Sequence, residues 1–303
     1  MNLSVADLAA YMRKAAVLTH DVVELPPFTL YFNPHDALRF FNYAVPTEPV
    51  SQPAAETLAA LRAAFAERGR TPRFEFIEEF APELGSALSA ASFALEDRTV
   101  LLTCTRDSFR PAPPIPGLEI ITLTSDSPAE DLLAHKDVQR WGFDDTSGEP
   151  PTPADVERFR PKLTQAGAFL ARLDGAPVAA GDFTAPLDGF TELVGIATLE
   201  AYRRRGIAAA LTAQAARTAF ARGVEVAFLT AADKRAGRVY ERVGFRPYAT
   251  ALAYCEKEDL RGLSNLEGLA VAGAQPTSCG ASPAVHRSSC VASRASCPCP
   301  PVP

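Results

Sequence analysis

Residues 203–209 read Arg-Arg-Arg-Gly-Ile-Ala-Ala and lie between a strand-like run and a helix-like run. The first residues of a helix have unpaired N–H groups, and the aligned peptide dipoles concentrate partial positive charge there. Gly206, Ala208 and Ala209 leave that backbone open to close approach, Ile207 begins the helix, and Arg203, Arg204 and Arg205 add mobile charge. Small residues at a helix start flanked by cations make an anion cradle suited to a diphosphate. The chain has no G-x-x-x-x-G-K-[ST] and no G-x-G-x-x-G opening a helix, which disfavours a P-loop nucleotide and a dinucleotide. On these residues alone the phosphate ligand stays open, and a basic helix start with a turn glycine is the plainer reading.

The elements that must position the cradle follow from periodicity. A strand over 191–198 feeds the loop, and a helix over 206–222 leaves it, with apolar Ile207, Leu211 and Ala215 on one face and Gly223 at the C-terminal cap. A strand over 224–229, a helix over 234–243 and a strand over 245–254 come next. Upstream, the pattern predicts a strand over 118–124, a helix from Pro128 to the vicinity of Trp141, and another starting at Thr152-Pro-Ala-Asp, where proline suits the first turn. Strands over 168–173 and 177–184 are joined by Asp174-Gly175, a hairpin signal. The sum is a mixed α/β sheet.

The first half of the chain echoes the second. Gly69, closing an Ala-Phe-Ala helix end, matches Gly223; the Phe74–Ile77 run matches Val226–Leu229; and a strand ending at Cys104 matches one ending at Cys255. The offsets are 154, 152 and 151 residues. Two copies of one half-fold explain this register better than two unrelated units. In that register Tyr240 falls on Leu88, and the cradle falls near 50–54, Val-Ser-Gln-Pro-Ala, without glycine.

The pattern R-x-x-G-x-A at 203–208 resembles the pyrophosphate loop of the GNAT N-acetyltransferases. Gly189–Thr198 resembles the strand that precedes that loop, and Asp233-Lys-Arg-Ala236…Tyr240…Gly244-Phe245 resembles the family's N-x-x-A-x-x-x-Y-x-x-x-G-F ending. The resemblance is specific over about 190–254 and generic over 118–189. It implies acetyl-coenzyme A as co-substrate, with pyrophosphate on Arg203–Ala209 and pantetheine along Ile196, Ala197 and Thr198. It implies direct attack by a primary amine, Tyr240 as the acid that protonates the leaving thiolate, Glu192 as a base, and no metal. A phenol with pKa near 10 is protonated at neutral pH and can serve as that acid. The plainer readings are a half-buried core tyrosine and a surface strand carboxylate. Asp233 stands where the family has an asparagine contacting the cofactor; it offers no N–H donor.

The expected fold is therefore α/β (α+β): a GNAT-type mixed, mostly antiparallel twisted sheet flanked by helices, in two related units. The expected units are a degenerate copy at 1–109, a Pro-rich linker at 110–117, a catalytic domain at 118–257 and a disordered Cys/Ser/Pro-rich tail at 262–303. The degenerate copy would complete the sheet, wall the substrate pocket or support a homodimer. The acceptor is a small-molecule or peptide amine. The other class of reading is a non-catalytic acyl-coenzyme A binding module, regulatory or scaffolding.

Composition is close to the average for soluble globular proteins. With 47% hydrophobic and 22% charged residues a sizeable core is affordable, and a net charge of −6 gives no footprint for nucleic acid or an anionic membrane. The N-terminal 20 residues read as an amphipathic helix and not as a signal peptide, and no window suits a bilayer span, so a cytoplasmic location is expected. Cys104 and Cys255 end apolar runs as small buried hydrophobes. Cys279, Cys290, Cys297 and Cys299 crowd the tail, and with His286 they lack the spacing of a zinc site.

Overall fold

The computed structural model describes residues 3–143 and 150–257. The tail at 262–303, with its four cysteines and the expectation of disorder, lies outside the described residues.

The N-terminal half opens with helix α1 (Val5–Val17), held by a capping box in which Ser4 accepts from the Asp7 N–H and Asp7 reaches back. Strands β1 (Asp21–Leu25), β2 (Phe28–Phe32) and β3 (Asn42–Pro46) follow, then α2 (Ala55–Ala66), β4 (Arg73–Ile77), α3 (Leu84–Ala90) and the long β5 (Phe93–Thr105). The second half runs β6 (Leu118–Leu123), α4 (Ala129–Gly142), α5 (Pro153–Phe159), β7 (Gly167–Leu173), β8 (Ala176–Phe183) and β9 (Phe190–Thr198). It closes with α6 (Ile207–Ala221), β10 (Val226–Ala231), α7 (Lys234–Glu241) and β11 (Arg246–Glu256). Asp174 and Gly175 both take positive φ in the β7–β8 hairpin, as a two-residue turn of that type demands. Element ends differ from the periodicity reading by one or two residues, the ordinary fraying at helix and strand termini.

The strands form one sheet in the order β1-β2-β3-β4-β11-β5-β10-β9-β8-β7-β6. Exchanging each strand from β1 to β5 with its counterpart from β7 to β11 gives the same order read from the other end, apart from the extra β6. The β3–β4 and β9–β10 pairs are parallel and occupy matching places, while the other neighbours are antiparallel. The last strands are exchanged: β5 lies against β10, and β11 lies against β4. β5 and β11 pair with each other along nearly their whole length, Phe93–Thr103 against Glu256–Arg246. The sequence repeat is therefore a structural one, but its halves interlock within one compact unit, residues 1–261.

Helices cover both faces. On one, α6 packs on Phe169, Phe183, Leu193 and Leu229. On the other, α1 places Leu8 and Tyr11 against Phe190, Val226 and Phe228, while α4 and α5 cover Leu170 and Ala180. Residues 110–117 contain no helix or strand; the Arg110 N–H bonds the Val243 carbonyl at 2.8 Å. Gly244, at φ 98°, is required here because a Cβ would overlap the Ser108 carbonyl. Among the described residues no helix is long and apolar enough to cross a membrane.

Candidate active site

The site begins where two parallel strands part. β9 pairs with β10 at Phe190–Val226, Thr191–Ala227 and Glu192–Phe228 and no further, although the strands run on to Thr198 and Ala231. Gly195 sits in this segment at φ 63°, beside a register irregularity in the β8–β9 ladder. Such a bulge bends a strand away from its neighbour. Backbone groups of Leu193–Thr198 that face β10 thus lack the strand partner that buried N–H and C=O groups normally have. The Thr198 Oγ1 is likewise buried without a hydrogen-bond partner among the described residues.

The cradle follows. Arg204 at φ 66° and Gly206 at φ 83° turn the chain into α6, with Gly206 as N-cap. No side chain caps this end, so the first N–H groups of α6 are free for a ligand. A Cβ on Gly206 would touch only the Ile115 Cδ1, at 3.5 Å, so the glycine serves backbone conformation and leaves the approach clear. Ile207 and Ala209 are buried in the core, whereas Ala208 is half-buried. A cleft of about 640 Å³ extends from this loop, walled by Ile196, Ala197 and Thr198 on one side and by α7 on the other.

The sequence-predicted arginines divide in function. The Arg203 guanidinium donates to the Thr198 carbonyl at 3.1 Å and the Gly142 carbonyl at 2.9 Å, tying the end of α4 to the end of β9. Arg204 and Arg205 are exposed, and Arg205 lies over the Tyr202 ring. Asp233 lines the cleft, but its carboxylate is engaged as the N-cap of α7, accepting from the Ala236 N–H at 2.6 Å. Sequence reading missed three further cations on the cleft wall: Arg235 and Arg238, spaced so that α7 presents them on one face, and Arg242 at its C-cap. That spacing was the available signal.

Tyr240 projects from α7 into the same cleft, its ring 6.3 Å from that of Phe245. Its hydroxyl has no hydrogen-bond partner among the described residues. Burial, and then the Asp233 charge, push its pKa above the ordinary phenol value, so the proton is retained at neutral pH. Glu192 is not beside it. Side chains alternate along β9; Leu193 faces α6, and Glu192 faces α1 and lines a second cavity of about 150 Å³. Burial first, and the Glu75 charge second, raise its carboxyl to about 7. The two candidate proton-transfer groups therefore stand on opposite faces of the sheet, either side of the gap between β9 and β10. A nucleophile entering under α1 and a thioester entering under α7 would meet in that gap. Among the described residues no cluster of His, Cys, Asp and Glu could hold a metal.

Residues 135–245 match the model of the acetyltransferase (GNAT) family. A GCN5-related N-acetyltransferase from Kribbella flavida is 28% identical, with a TM-score of 0.71 over 84% of this chain and 96% of that one. A tandem GNAT protein from the clavulanic acid biosynthesis pathway shares the fold at 13% identity, with a TM-score of 0.56 over 75% of this chain and 77% of that one. A GCN5-related N-acetyltransferase from Sphaerobacter thermophilus does so at 17%, with a TM-score of 0.51 over 77% and 81%. No curated protein sequence matches the chain. The class is thus an acyltransferase. The chain carries a GNAT acetyltransferase domain, set in a mixed, mostly antiparallel sheet whose neighbours include a tandem GNAT protein.

Proposed function

We propose that the protein transfers acetyl from acetyl-coenzyme A to a primary amine by direct attack, using the second half of the chain as its catalytic unit. The observation that carries the reading is the gap between β9 and β10, with an uncapped helix start at one end and an unpartnered tyrosine hydroxyl on its wall. The diphosphate would take the N–H groups of 206–209 with Arg204 and Arg205, and the arginine face of α7 would meet the remaining phosphate charge. Pantetheine would pair with the free edge at Ile196, Ala197 and Thr198. The acceptor ammonium gives a proton to Glu192, and the resulting free amine attacks the thioester carbonyl. The C–N bond forms and the C–S bond breaks; Tyr240 protonates the departing thiolate, and the surplus proton on the new amide nitrogen returns to the phenolate through solvent. The buried free thiol of Cys104 suits a reducing, cytoplasmic setting.

Thermal unfolding with and without acetyl-coenzyme A tests the cofactor. Ligand at a hundredfold excess over Kd adds about 2.7 kcal/mol, and Gly206→Glu should abolish the shift while the protein stays folded. Tyr240→Phe should then lower kcat by about 10²–10⁴-fold at unchanged acetyl-coenzyme A affinity. If that variant turns over normally, or no amine supports turnover, the non-catalytic binding module is the better reading.

A further inference from the structure

The second cavity has a composition that the cofactor does not account for. It lies under α1, and its polar walls are Arg73 and Glu75 of β4, Asp97 and Thr99 of β5, Glu192 of β9 and Thr230 of β10. Four of these six come from the N-terminal half, and strand exchange brings them there. β11 lies between β4 and β5, so Ala253 pairs with Glu75 on one side and Asp97 on the other.

The charges are not balanced. Arg73 is buried and bonds Glu75 and, at 2.5 Å, Glu96, and Arg39 also pairs with Glu96. Those two cations and two anions balance in net charge, but Arg73 engages only the Oε1 of Glu75 among the described residues, which leaves its second oxygen as an acceptor. Among the described residues Asp97 accepts only from the Arg98 N–H. The Glu192 carboxylate forms no hydrogen bond or ion pair among the described residues; the residue is half-buried and lines the cavity. A carboxylate facing a cavity beside other carboxylates is the complement of a cation. Burial first, and then the charges of Glu75 and Glu192, hold the Tyr43 phenol protonated. Thr99 and Thr230 add hydroxyl groups, and Met12, Ala251 and Ala253 supply apolar wall. A volume near 150 Å³ accommodates a group of about six heavy atoms.

We infer that this cavity is the acceptor site, and that Glu75 and Asp97 of the N-terminal half hold an unbranched aminoalkyl cation whose amine reaches Glu192. The inference rests on the acetyltransferase reading and gives the repeat's first copy a role: it lost its own chemistry and kept a wall of its partner's site. Pro46, by strand register, stands where Glu192 stands in the second copy, and Leu88 stands where Tyr240 does, so no proton-transfer group is left in the first.

The test is isothermal titration of the full chain, saturated with coenzyme A, using n-pentylamine, 1,5-diaminopentane and pentanoate as probes. Both amines should bind and pentanoate should not. Glu75→Gln should weaken both amines at least tenfold, and Asp97→Asn should weaken the diamine more than the monoamine. Asp97 is exposed, so its variant folds even if Glu75→Gln does not. Amines that fail to bind, or that bind all variants equally, overturn the inference. A parallel titration with acetyl-coenzyme A separates the two readings: its binding with amine indifference sinks only the acceptor site, whereas its failure sinks the acetyltransferase reading.

Discussion

The side-chain amide of Gln139 donates to the Gly195 carbonyl at 3.1 Å and to the Asp182 carboxylate at 2.8 Å. One residue of α4 thus braces the bulge that parts β9 from β10. A Cβ on Gly195 would overlap that amide, and Gly195 has φ 63°, a conformation that costs an L residue about 1–2 kcal/mol. Gly195→Ala should therefore lower the melting temperature and weaken acetyl-coenzyme A binding together. Gln139→Ala removes the overlap and leaves only the backbone strain, so the double variant should be less destabilised than the two single effects summed. Strict additivity in a double-mutant cycle would show that Gln139 does not brace Gly195.

Glu192 predicts opposite pH trends for stability and activity. Its folded carboxyl is raised to about 7, chiefly by burial and then by Glu75, above its unfolded value near 4.3. Between these values the unfolded chain has already released the proton that the folded protein keeps. Stability is therefore fully present below the unfolded pKa and is lost as pH rises through the folded one. Glu192→Gln should be neutral at pH 4 and stabilise by roughly 1–3 kcal/mol at pH 8. Activity needs the ionised base, so kcat/KM should rise with pH through a midpoint near 7, a limb absent from Glu192→Gln. Glu75→Gln should move that midpoint down. A pH profile flat from 5 to 8 in the parent would remove Glu192 from proton transfer.

How far the sequence foretold this differs between fold and site, for a physical reason. Periodicity and turn chemistry report which face a residue buries, so α6, the Asp174-Gly175 hairpin and the strand before the loop were legible. They do not report which strand lies alongside. The alternation of β5 is the same whether its neighbour is β4 or β10, so the exchange was invisible. With it went Glu75 and Asp97, which meet Glu192 only because of the sheet order. Conversely, Arg203 looked like one of three equal phosphate ligands; its engagement with Thr198 and Gly142 depends on where α4 ends. The cap made by Asp233 was readable, since aspartate before a helix start is a favoured N-cap.

The arginine face of α7 carries its own expectation. Arg235 and Arg238 line the cleft and show no ion pair among the described residues, so their charge is available to a phosphorylated ligand. Replacing both with alanine should raise the Kd for acetyl-coenzyme A about tenfold, ~1.4 kcal/mol, with most of the difference lost at 0.5 M salt because exposed charges are screened. Dephosphorylated coenzyme A should feel the substitution less. Titrations at two ionic strengths check this, and an affinity unchanged at low salt would mean that α7 is only a solvated basic face.

The exchange of β5 and β11 makes each half structurally dependent on the other. Residues 118–261 alone would keep the cradle and Tyr240 but leave β10 without its neighbour β5, and β11 without β4 and β5. The long β5–β11 pairing buries Leu101, Leu102, Leu252 and Cys255, and losing such burial costs about 25 cal/mol per Å² of apolar area. Fragments 1–112 and 113–261 expressed singly should show no cooperative unfolding. Co-expressed, they should associate through the sheet and recover acetyl-coenzyme A binding. If 113–261 alone unfolds cooperatively and binds the cofactor, β11 must have folded back beside β10 into the place of β5. The exchange would then be one of two pairings of nearly equal energy, and the N-terminal half would be needed for the acceptor and not for the fold.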